Sequence, residues 1–254
     1  MPNSLSVVLI TLNEAANLPR ALESVRWARE IVVVDSGSKD GTAEMARGLG
    51  ALVFEEAWQG FGAQKNAAIG RASGDWVLSL DADEELSAGL ALEMQELLAA
   101  EPKFAAYQIP RLNHFLGRPL RHGGYWPDPK LRLFRRGAAR FEERPVHETL
   151  KTAGAVGRLK NPLIHHCYPA LEDYIEHMNR YSTAGAEMLA ASGRGGRGLV
   201  WNAVVNPAAT FVYNYVFRLG FLDGREGLLQ HLNHAVYVHW KYAKAWAASQ
   251  GKRL

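Results

Sequence analysis

The chain has 254 residues, of which 48% are hydrophobic and 22% are charged. These values are typical of a folded protein, and they exclude a disordered or fibrous chain. The single cysteine, Cys167, cannot form an internal disulfide, and residues 1–10 lack the basic region and cleavage site of a signal peptide. We therefore expect a cytosolic protein.

Charge is divided unevenly along the chain. Residues 1–100 contain 7 Lys and Arg against 15 Asp and Glu, whereas residues 101–254 contain 22 against 11. An acidic half suits a bound metal ion, and a basic half suits an anionic partner such as nucleic acid, a phosphorylated glycan or a lipid headgroup. Nucleic acid is disfavoured because the basic residues lie amid Pro, Trp and Leu without a known nucleic-acid-binding motif.

The first hundred residues alternate between strand-like and helix-like patterns. Short apolar runs predict strands at Ser6–Ile10, Ile31–Val34, Leu52–Phe54 and Trp76–Leu80. The stretches that follow them predict helices at Asn17–Trp27, Thr42–Leu49, Gly62–Ala72 and Ser87–Ala99, with Ser87 as an N-cap. This alternation predicts an α/β protein with a doubly wound sheet.

From about Phe104 the pattern changes. Strands are predicted at Phe104–Pro110, Leu131–Arg135 and Leu163–His166, and a helix at Leu171–Ala191. Residues 192–198 read as a flexible basic linker.

The segment Leu199–Phe217 has 19 residues without a charge, which is nearly enough to span a membrane. However, polar residues recur every fourth position, at Asn202, Asn206, Thr210, Asn214 and Arg218. On a helix they form a drifting stripe, and Pro207 should kink or interrupt that helix. Together with the basic amphipathic stretch Leu228–Ala248, this favours helices lying on a membrane surface. Packing on the rest of the chain or on a second subunit is the alternative, and a true span is least favoured.

Polar residues stand where three predicted strands end, which is where doubly wound sheets bind ligands. They form the groups Thr11–Glu14, Asp35–Ser38 and Asp81–Asp83. Asp81 and Asp83, two positions apart in an extended segment, should project to one side, with Glu84 and Glu85 extending the cluster. Such oxygen donors hold Mg²⁺ or Mn²⁺ beside a diphosphate.

Three further groups carry alternatives. Asp35 suits a uracil imide or ribose hydroxyls, or else a helix cap, although Asp40 is the better cap. The glycines of Gly60-Phe61-Gly62 do not fit a dinucleotide motif, so Lys65 is preferred as a nucleotide or phosphate contact. For the group His165-His166-Cys167, a structural role is favoured over metal ligation.

The motifs T-L-N-E at 11–14, V-D-S-G-S-K-D-G-T at 34–42 and D-A-D-E at 81–84 resemble family 2 glycosyltransferases of the GT-A fold, over residues 5–100. The motifs W-P-D-P-K-L-R-L-F-R-R, R-P-V-H-E and G-F-L-D-G-R-E-G-L resemble the bacterial lipopolysaccharide-core β-1,4-glucosyltransferase group. The resemblance implies a Rossmann-like GT-A domain with a C-terminal helical extension. It also divides the chain into a nucleotide-sugar-binding half (1–100), an acceptor-side half (101–170) and the helical extension (171–254).

The resemblance also implies roles for individual residues on the donor side. Glu14 and Asp35 would line a uridine pocket, with Leu12 beside the base. Lys65 would lie near the nucleotide, Asp81 near the ribose or donor sugar, and Asp83 would bind the divalent metal, Mg²⁺ or Mn²⁺.

The same family inverts at the anomeric carbon and needs a carboxylate base. Glu148 is our choice, with His147 as a diphosphate or metal contact; Glu142, Glu143 and Asp128 compete, and an ion pair with a nearby arginine is the structural alternative for Glu148. A Q-x-x-R-W motif, found in processive members, is absent, which favours transfer of a single sugar.

On the acceptor side, Asp128 and Arg132 are predicted to take part. Six arginines would hold an anionic acceptor: Arg111, Arg118, Arg121, Arg132, Arg135 and Arg136. We thus expect a UDP-sugar donor, with glucose foremost, and a lipopolysaccharide inner-core or related glycolipid acceptor at the inner face of the cytoplasmic membrane.

Other functions stay in comparison with this one. They are another UDP-sugar on a lipid-phosphate acceptor and a non-catalytic sugar- or lipid-binding module. A nucleotidyltransferase is disfavoured because no Gly-rich Lys/Arg loop lies near the N-terminus. Whether the chain forms a homo-oligomer stays open.

Overall fold

The computed structural model describes residues 3–142, 149–193 and 198–252. The chain forms two compact units, one of Met1–Arg111 with Asp128–His165 and one of Leu112–Pro127 with His166–Leu254. Most of the predicted segments 1–100 and 101–170 falls in the first unit. The predicted helical extension falls in the second, together with residues 112–127.

Twelve strands are present in the described residues. They are β1 (Leu5–Thr11), β2 (Glu30–Asp35), β3 (Leu52–Glu55), β4 (Trp76–Ser79), β5 (Glu84–Leu86), β6 (Ala106–Phe115), β7 (Arg118–Pro119), β8 (Asp128–Arg135), β9 (Ala139–Phe141), β10 (Leu150–Thr152), β11 (Val156–Arg158) and β12 (Leu163–Tyr168). Ten form one sheet in the order β3-β2-β1-β4-β8-β6-β12-β5, with β7 and β11 paired to β6, while β9 and β10 pair separately.

The first half of the sheet confirms the predicted doubly wound order. β1 pairs in parallel with β2 on one side and β4 on the other, and β2 pairs in parallel with β3. Val7, Val33 and Leu78 are completely buried, as expected for parallel strands that helices cover on both faces. Because these strands are parallel, the carboxyl ends of β1, β2 and β4 lie at one edge.

The second half of the sheet is antiparallel. β8 runs opposite to β4, with Leu78 beside Leu133, and β6 runs opposite to β8. The short strand β5 was not predicted; it pairs antiparallel with β12, which places His165 beside Glu84. This pairing brings β12 to the segment that follows β4.

Four helices accompany the parallel strands: α1 (Leu18–Ser24), α2 (Thr42–Gly48), α3 (Phe61–Arg71) and α4 (Ala88–Ala99). They agree with the predicted helices to within a few residues at each end. Ser87 caps α4 as predicted, since its hydroxyl accepts the backbone N–H of Leu90 at 3.2 Å. The buried residues Leu90, Met94 and Leu98 lie on one face of α4 and join the core.

The second unit is mainly helical. Its helices are α5 (Leu171–Ala191), α6 (Asn206–Val212) and α7 (Gly224–Ser249), with π-helical turns at Trp201–Val205 and Tyr213–Phe217 and a 3₁₀ turn at Gly220–Asp223. Phe115, Leu120 and Tyr174 form its small buried core. Over the ranges that the structure describes, no helix has both the length and the hydrophobicity to cross a membrane.

Candidate active site at the carboxyl ends of β1, β2 and β4

The loops after β1 and β2 are joined to each other by hydrogen bonds. The Asn13 N–H donates to Ser38 Oγ at 2.8 Å, and the Asn13 side chain accepts the Lys39 N–H at 2.9 Å. The Glu14 N–H donates to Thr42 Oγ1 at 2.9 Å, one residue beyond the left-handed Asn13 (φ 58°). These bonds hold the two loops together, so the edge of the sheet presents a preformed surface.

Asp35 ends β2 and shapes the loop that follows it. Its carboxylate accepts the Thr11 hydroxyl at 2.8 Å, the N–H groups of Gly37 and Ser38 at 3.0 and 2.8 Å, and the Ser38 hydroxyl at 2.5 Å. Burial alone would raise the pKa of Asp35, but these hydrogen bonds outweigh it and lower the pKa. The structure therefore gives Asp35 a loop-forming role, and its contact with a nucleotide stays a prediction.

Asp40 is not the N-cap of α2, a position held by Gly41, but it lies one residue before it and binds the start of the helix. It accepts the N–H of Thr42, the first residue of α2, at 3.1 Å, and also the N–H of Ala15 at 3.0 Å. Asp40 thus joins the start of α2 to the loop after β1.

The segment Asp81-Ala82-Asp83 forms a tight turn, which corrects the predicted extended segment. The N–H of Glu84 donates to the Asp81 carbonyl at 3.0 Å, and the Asp81 N–H donates to the Glu84 carboxylate at 3.0 Å. In an extended segment the two aspartates would share a side. In this turn they contact different partners: Asp81 binds Lys65 and Arg132, and Asp83 contacts His165.

A chain of alternating charges runs behind this turn, and we call it the ion-pair chain. Its members in order are Lys65, Asp81, Arg132, Glu84, Arg111, Asp128 and Lys130. Four cations thus face three carboxylates. The middle of the chain is the most buried part, because Glu84 is completely buried and Arg132 nearly so.

Asp81 is held at both carboxylate oxygens. Lys65 Nζ lies 2.9 Å from Oδ1, and Arg132 contacts Oδ2. Burial would raise the pKa of Asp81, but the charges of Arg132 and Lys65 outweigh it and hold the pKa well below its ordinary value. Asp81 is therefore ionised at neutral pH. Lys65 lies in α3 and is nearly buried above the ring of Phe141, and its contact with a nucleotide stays a prediction.

The sequence suggested that Glu84 extends the acidic cluster of Asp81 and Asp83. In the structure Glu84 is instead completely buried. It lies in β5 and accepts from Arg132 at 2.8 Å and from Arg111 at 3.3 Å. A buried carboxylate needs such partners because its desolvation is costly. Glu84 thereby anchors the turn of Asp81-Ala82-Asp83 to strands β6 and β8.

Asp83 is the acidic residue of the turn that no arginine or lysine neutralises among the described residues. Its side chain is 31% exposed, and its Oδ2 lies 3.1 Å from His165 Nε2. The pairing of β5 with β12 accounts for this contact, since His165 stands opposite Glu84. The turn thus leaves Asp83 in contact with a histidine, while Asp81 is fixed in the ion-pair chain.

Glu14 lies within the electrostatic influence of this turn. Burial raises the pKa of Glu14, and the charges of Asp83, Asp40 and Asp81 raise it further, against a hydrogen bond from Asn17. Negative charge therefore accumulates at the edge of the sheet. Leu12, which directly follows β1, is half exposed, and its contact with the base stays a prediction.

Two predicted acceptor-side residues are members of the ion-pair chain. Arg132 is buried between Asp81 and Glu84, so its placement differs from the predicted contact with an anionic acceptor. Asp128 is bound by Arg111 at 2.7 Å and by Lys130 at 2.9 Å. Burial would raise the pKa of Asp128, but Arg111 and Lys130 outweigh it and lower the pKa. Of the six arginines, Arg111 and Arg132 are thus used inside the fold, whereas Arg118, Arg121, Arg135 and Arg136 are exposed.

The chosen base and its neighbour, Glu148 and His147, lie outside the described residues, as does Glu143. Among the residues that are described, no group of three or more His, Cys, Asp or Glu side chains is arranged to hold a metal ion. A cation at this edge would therefore depend on Asp83 together with oxygens of a bound substrate. That donor set matches Mg²⁺ sites built from one or two carboxylates and substrate phosphates.

Comparison with known proteins decides the family. The family model described as "Glycosyl transferase family 2" matches residues 6–158. The chain belongs to glycosyl transferase family 2. Its matched region contains every described residue of the ion-pair chain and both aspartates of the turn.

This family 2 glycosyltransferase has relatives over nearly its whole length. It is 33% identical, over 95% of its own chain and 92% of the relative, to the lipopolysaccharide core biosynthesis glycosyltransferase LpsC of Rhizobium meliloti. It is also 33% identical to a glycosyltransferase of Rickettsia felis, over 75% of this chain and 71% of that one. Among solved structures, a mannosyltransferase from Pyrobaculum calidifontis matches 96% of this chain and 87% of its own, with a TM-score of 0.54 and 16% identity, which shows a shared GT-A fold.

Sequence reasoning on this glycosyltransferase named Glu84, Arg111 and His165 but gave them other roles: Glu84 in an acidic cluster, Arg111 at the acceptor, and His165 in a group favoured as structural. Their ion-pair partners were not predicted. One signal could have found the partner of Glu84. Arg132 stands between Leu131 and Leu133 in a predicted strand. Phe134, two positions on, lies on the same face of the strand, which is buried. A strand arginine in such surroundings needs a buried carboxylate. His165 carried no comparable signal, because its contact depends on the pairing of β5 with β12.

Proposed function

We propose that the enzyme transfers a single sugar, glucose foremost, from a UDP-sugar to a lipopolysaccharide inner-core or related anionic glycolipid acceptor. The transfer inverts the anomeric configuration and uses Mg²⁺ or Mn²⁺. The observation that carries this proposal is the turn at the end of β4, where Asp83 contacts His165 while Lys65 and Arg132 fix Asp81.

The charges around the turn support a bound cation. Burial raises the pKa of Glu14, and the negative charges of Asp83, Asp40 and Asp81 raise it further. A divalent ion on Asp83 would relieve that charge and, when bound, would act as a Lewis acid toward the diphosphate. The Pyrobaculum structure contains GDP-mannose and Mn²⁺, which describes that protein's own site.

The chemistry divides among the residues of this chain as follows. The acceptor hydroxyl oxygen forms a bond to the anomeric carbon as the bond from that carbon to the diphosphate oxygen breaks. The electron pair of the broken bond leaves on the UDP, and the hydroxyl proton goes to a carboxylate base. We assign the base to Glu148, with His147 beside it as a contact to the diphosphate.

Asp128 is the weaker candidate for the base. Arg111 and Lys130 lower its pKa, and a carboxylate held ionised by two cations has less affinity for the acceptor's proton. Lys65, nearly buried against Asp81, is placed to support the nucleotide.

The acceptor assignment is supported by the printed name of the Rhizobium relative, which concerns lipopolysaccharide core biosynthesis. It is also supported by the excess of basic residues after residue 100. Such acceptors are anionic glycolipids, so we place the enzyme at the cytosolic face of the cytoplasmic membrane.

The test is a UDP-release assay with purified enzyme. UDP-glucose, UDP-galactose, UDP-N-acetylglucosamine and GDP-mannose are each offered with an inner-core acceptor, with Mg²⁺, with Mn²⁺ and with a chelator. We expect release from UDP-glucose that depends on acceptor and metal. Preference for another donor would overturn the glucose assignment alone, retained turnover in chelator would overturn the metal, and no release from any donor would overturn the function.

A further inference from the structure

The segment 199–217 has its polar residues inside and its apolar residues outside. Pairs of neighbouring residues are exposed, and the pairs recur every four residues. All ten exposed side chains are apolar or aromatic: Val200, Trp201, Val204, Val205, Ala208, Ala209, Val212, Tyr213, Val216 and Phe217. We call this set the apolar face. Trp201 and Phe217, at its two ends, are 67% and 73% exposed. Soluble helices have the opposite arrangement.

The inward side of the same segment carries the polar stripe. Asn202, Asn206, Thr210 and Asn214 are all half-buried, and the small residues Ala203 and Pro207 are buried between them. His239 of α7 places Nδ1 2.6 Å from the Ala203 carbonyl oxygen. That carbonyl precedes Pro207 by four residues, and a proline has no N–H to offer it. The segment is thus fastened to α7 through its polar side.

The two π-helical turns explain why the apolar face does not drift around the segment. An α-helical turn contains about 3.6 residues, so side chains that repeat every four residues drift around the helix. The sequence predicted such a drift for the polar stripe. Asn206 N–H instead bonds to the Trp201 carbonyl, and Arg218 N–H to the Tyr213 carbonyl, five residues back in both cases. Such turns hold more residues than an α-turn and cancel the drift. Pro207 does not interrupt the segment, since the backbone is helical on both sides of it.

The charges of the second unit favour one class of partner. This unit contains eleven Lys and Arg against six Asp and Glu. Residues 199–222 contain no acid, and their single charge, Arg218, is exposed beside Phe217. Arg225 and Arg121 of the same unit are exposed as well. A second copy of the chain would bring like charges together, whereas an anionic lipid surface would meet opposite ones.

We infer that the apolar face binds the surface of an anionic phospholipid bilayer, lying in the interface with Arg218 and Arg225 at the lipid phosphates. A helix with one apolar face and cationic flanks binds membranes in this way without crossing them. This inference deepens the proposed function, since it names the surface that brings the enzyme to a glycolipid acceptor. Its test needs no donor or acceptor, so it stands or fails separately from sugar transfer.

The experiment measures flotation of the full chain with vesicles of phosphatidylcholine alone and of phosphatidylcholine mixed with phosphatidylglycerol. We expect wild-type protein to float with the anionic vesicles and much less with the neutral ones, and raised salt to weaken the difference. The double variant Trp201→Gln/Phe217→Gln should lower the bound fraction at least tenfold. Arg218→Gln/Arg225→Gln should remove most of the preference for anionic lipid.

A matched control is available in the first unit. Trp58 and Phe61 are also exposed, at 47% and 52%, and their rings are in contact. Trp58→Gln/Phe61→Gln should leave vesicle binding unchanged. An equal loss in both double variants would overturn the assignment to the apolar face, as would wild-type protein that does not bind vesicles.

Two further measurements keep the inference falsifiable if a variant folds poorly. Bromine-labelled lipid should quench part of the tryptophan fluorescence of the wild type, and Trp201→Phe should lose that part. Sedimentation without lipid tests the other occupant. A stable dimer that Trp201→Gln/Phe217→Gln converts to a monomer, with vesicle binding unaltered, would assign the face to self-association and overturn our inference.

Discussion

At the scale of single residues, the two aspartates of the turn after β4 have different electrostatic surroundings. Asp81 is locked between Lys65 and Arg132, while Asp83 has His165 as its neighbour. A carboxylate that is already paired has little left to offer a cation, so the division of labour follows from the ion pairs.

Asp83→Asn tests that division. We expect kcat to fall by about 10²-fold or more, which is the usual cost of removing one electrostatic stabiliser of the transition state. The folded structure should persist, because the side chain is partly exposed. Mn²⁺ binding in the presence of UDP, followed by electron paramagnetic resonance, should weaken in parallel. Asp173→Asn, a change at an exposed carboxylate of α5, is the matched control, and equal activities of the two variants would contradict the role of Asp83.

Arg132→Met tests the ion-pair chain. Removing one partner leaves Glu84 charged and buried, and this costs about 3–5 kcal/mol of the free energy of unfolding. Urea denaturation measures the loss. Arg26→Met is the control, since Arg26 forms an exposed pair with Glu23 at 3.5 Å that contributes at most about 1 kcal/mol.

The double variant Arg132→Met/Glu84→Gln tests whether the buried charge of Glu84 causes the loss of stability. It removes a buried charge that has lost its nearer partner and keeps Arg111 at 3.3 Å, so it should be more stable than Arg132→Met alone. If Arg132→Met is as stable as the Arg26→Met control, the ion-pair chain does not hold the site together.

Glu148→Gln and Asp128→Asn distinguish the candidates for the base. The true base should lose about 10²- to 10⁴-fold in kcat with little change in KM. We expect this of Glu148→Gln and a smaller kinetic effect of Asp128→Asn, measured by UDP release at saturating donor. The reverse ranking would transfer the role to Asp128.

At the scale of elements, helix α7 carries a buried histidine that makes stability depend on pH. His231 is 2% exposed, and burial, together with His234 and Arg218, lowers its pKa to about 4 despite the opposing charge of Asp223. Gly123 and Gly220 allow this packing, because a Cβ at either position would come within 2.2 Å of the ring. The ring is therefore neutral in the folded protein at neutral pH.

Acid should destabilise the fold through this residue. Between pH 6.5 and 4 the unfolded chain binds a proton at His231 that the folded chain does not, so the free energy of unfolding falls as pH falls, by about 3 kcal/mol in total. Urea denaturation from pH 7 to pH 4 measures the fall. His231→Asn should be less stable at pH 7 but should show a shallower pH dependence. Identical slopes for both proteins would rule out the contribution of His231.

Helices and strands differ in how well their boundaries follow from sequence. Leu171–Ala191 was predicted without error as α5, because its pattern is long and periodic. By contrast, β5 and β9 to β11 were missed; each has only three residues, which is too short for periodicity to register. Strands of that length exist because a neighbouring strand pairs with them.

At the scale of the whole molecule, local pattern was sufficient for the first half of the sheet. The doubly wound sheet follows from the alternation of apolar runs and helices, and the strand-end motifs Thr11–Glu14, Asp35–Ser38 and Asp81–Asp83 lie at the predicted edge. The antiparallel half could not be derived in the same way, since its pairings join residues far apart in the chain.

The sequence by itself thus determined the family, the parallel half of the sheet and the strand ends that carry the candidate site, because each depends on residues that are close along the chain. Only the tertiary structure decided which of the two aspartates is neutralised and that Arg132 is buried. It also decided that segment 199–217 turns its polar residues inward. Those outcomes depend on desolvation and on partners brought together by folding, such as Glu84 and His239, and sequence spacing carries no record of them.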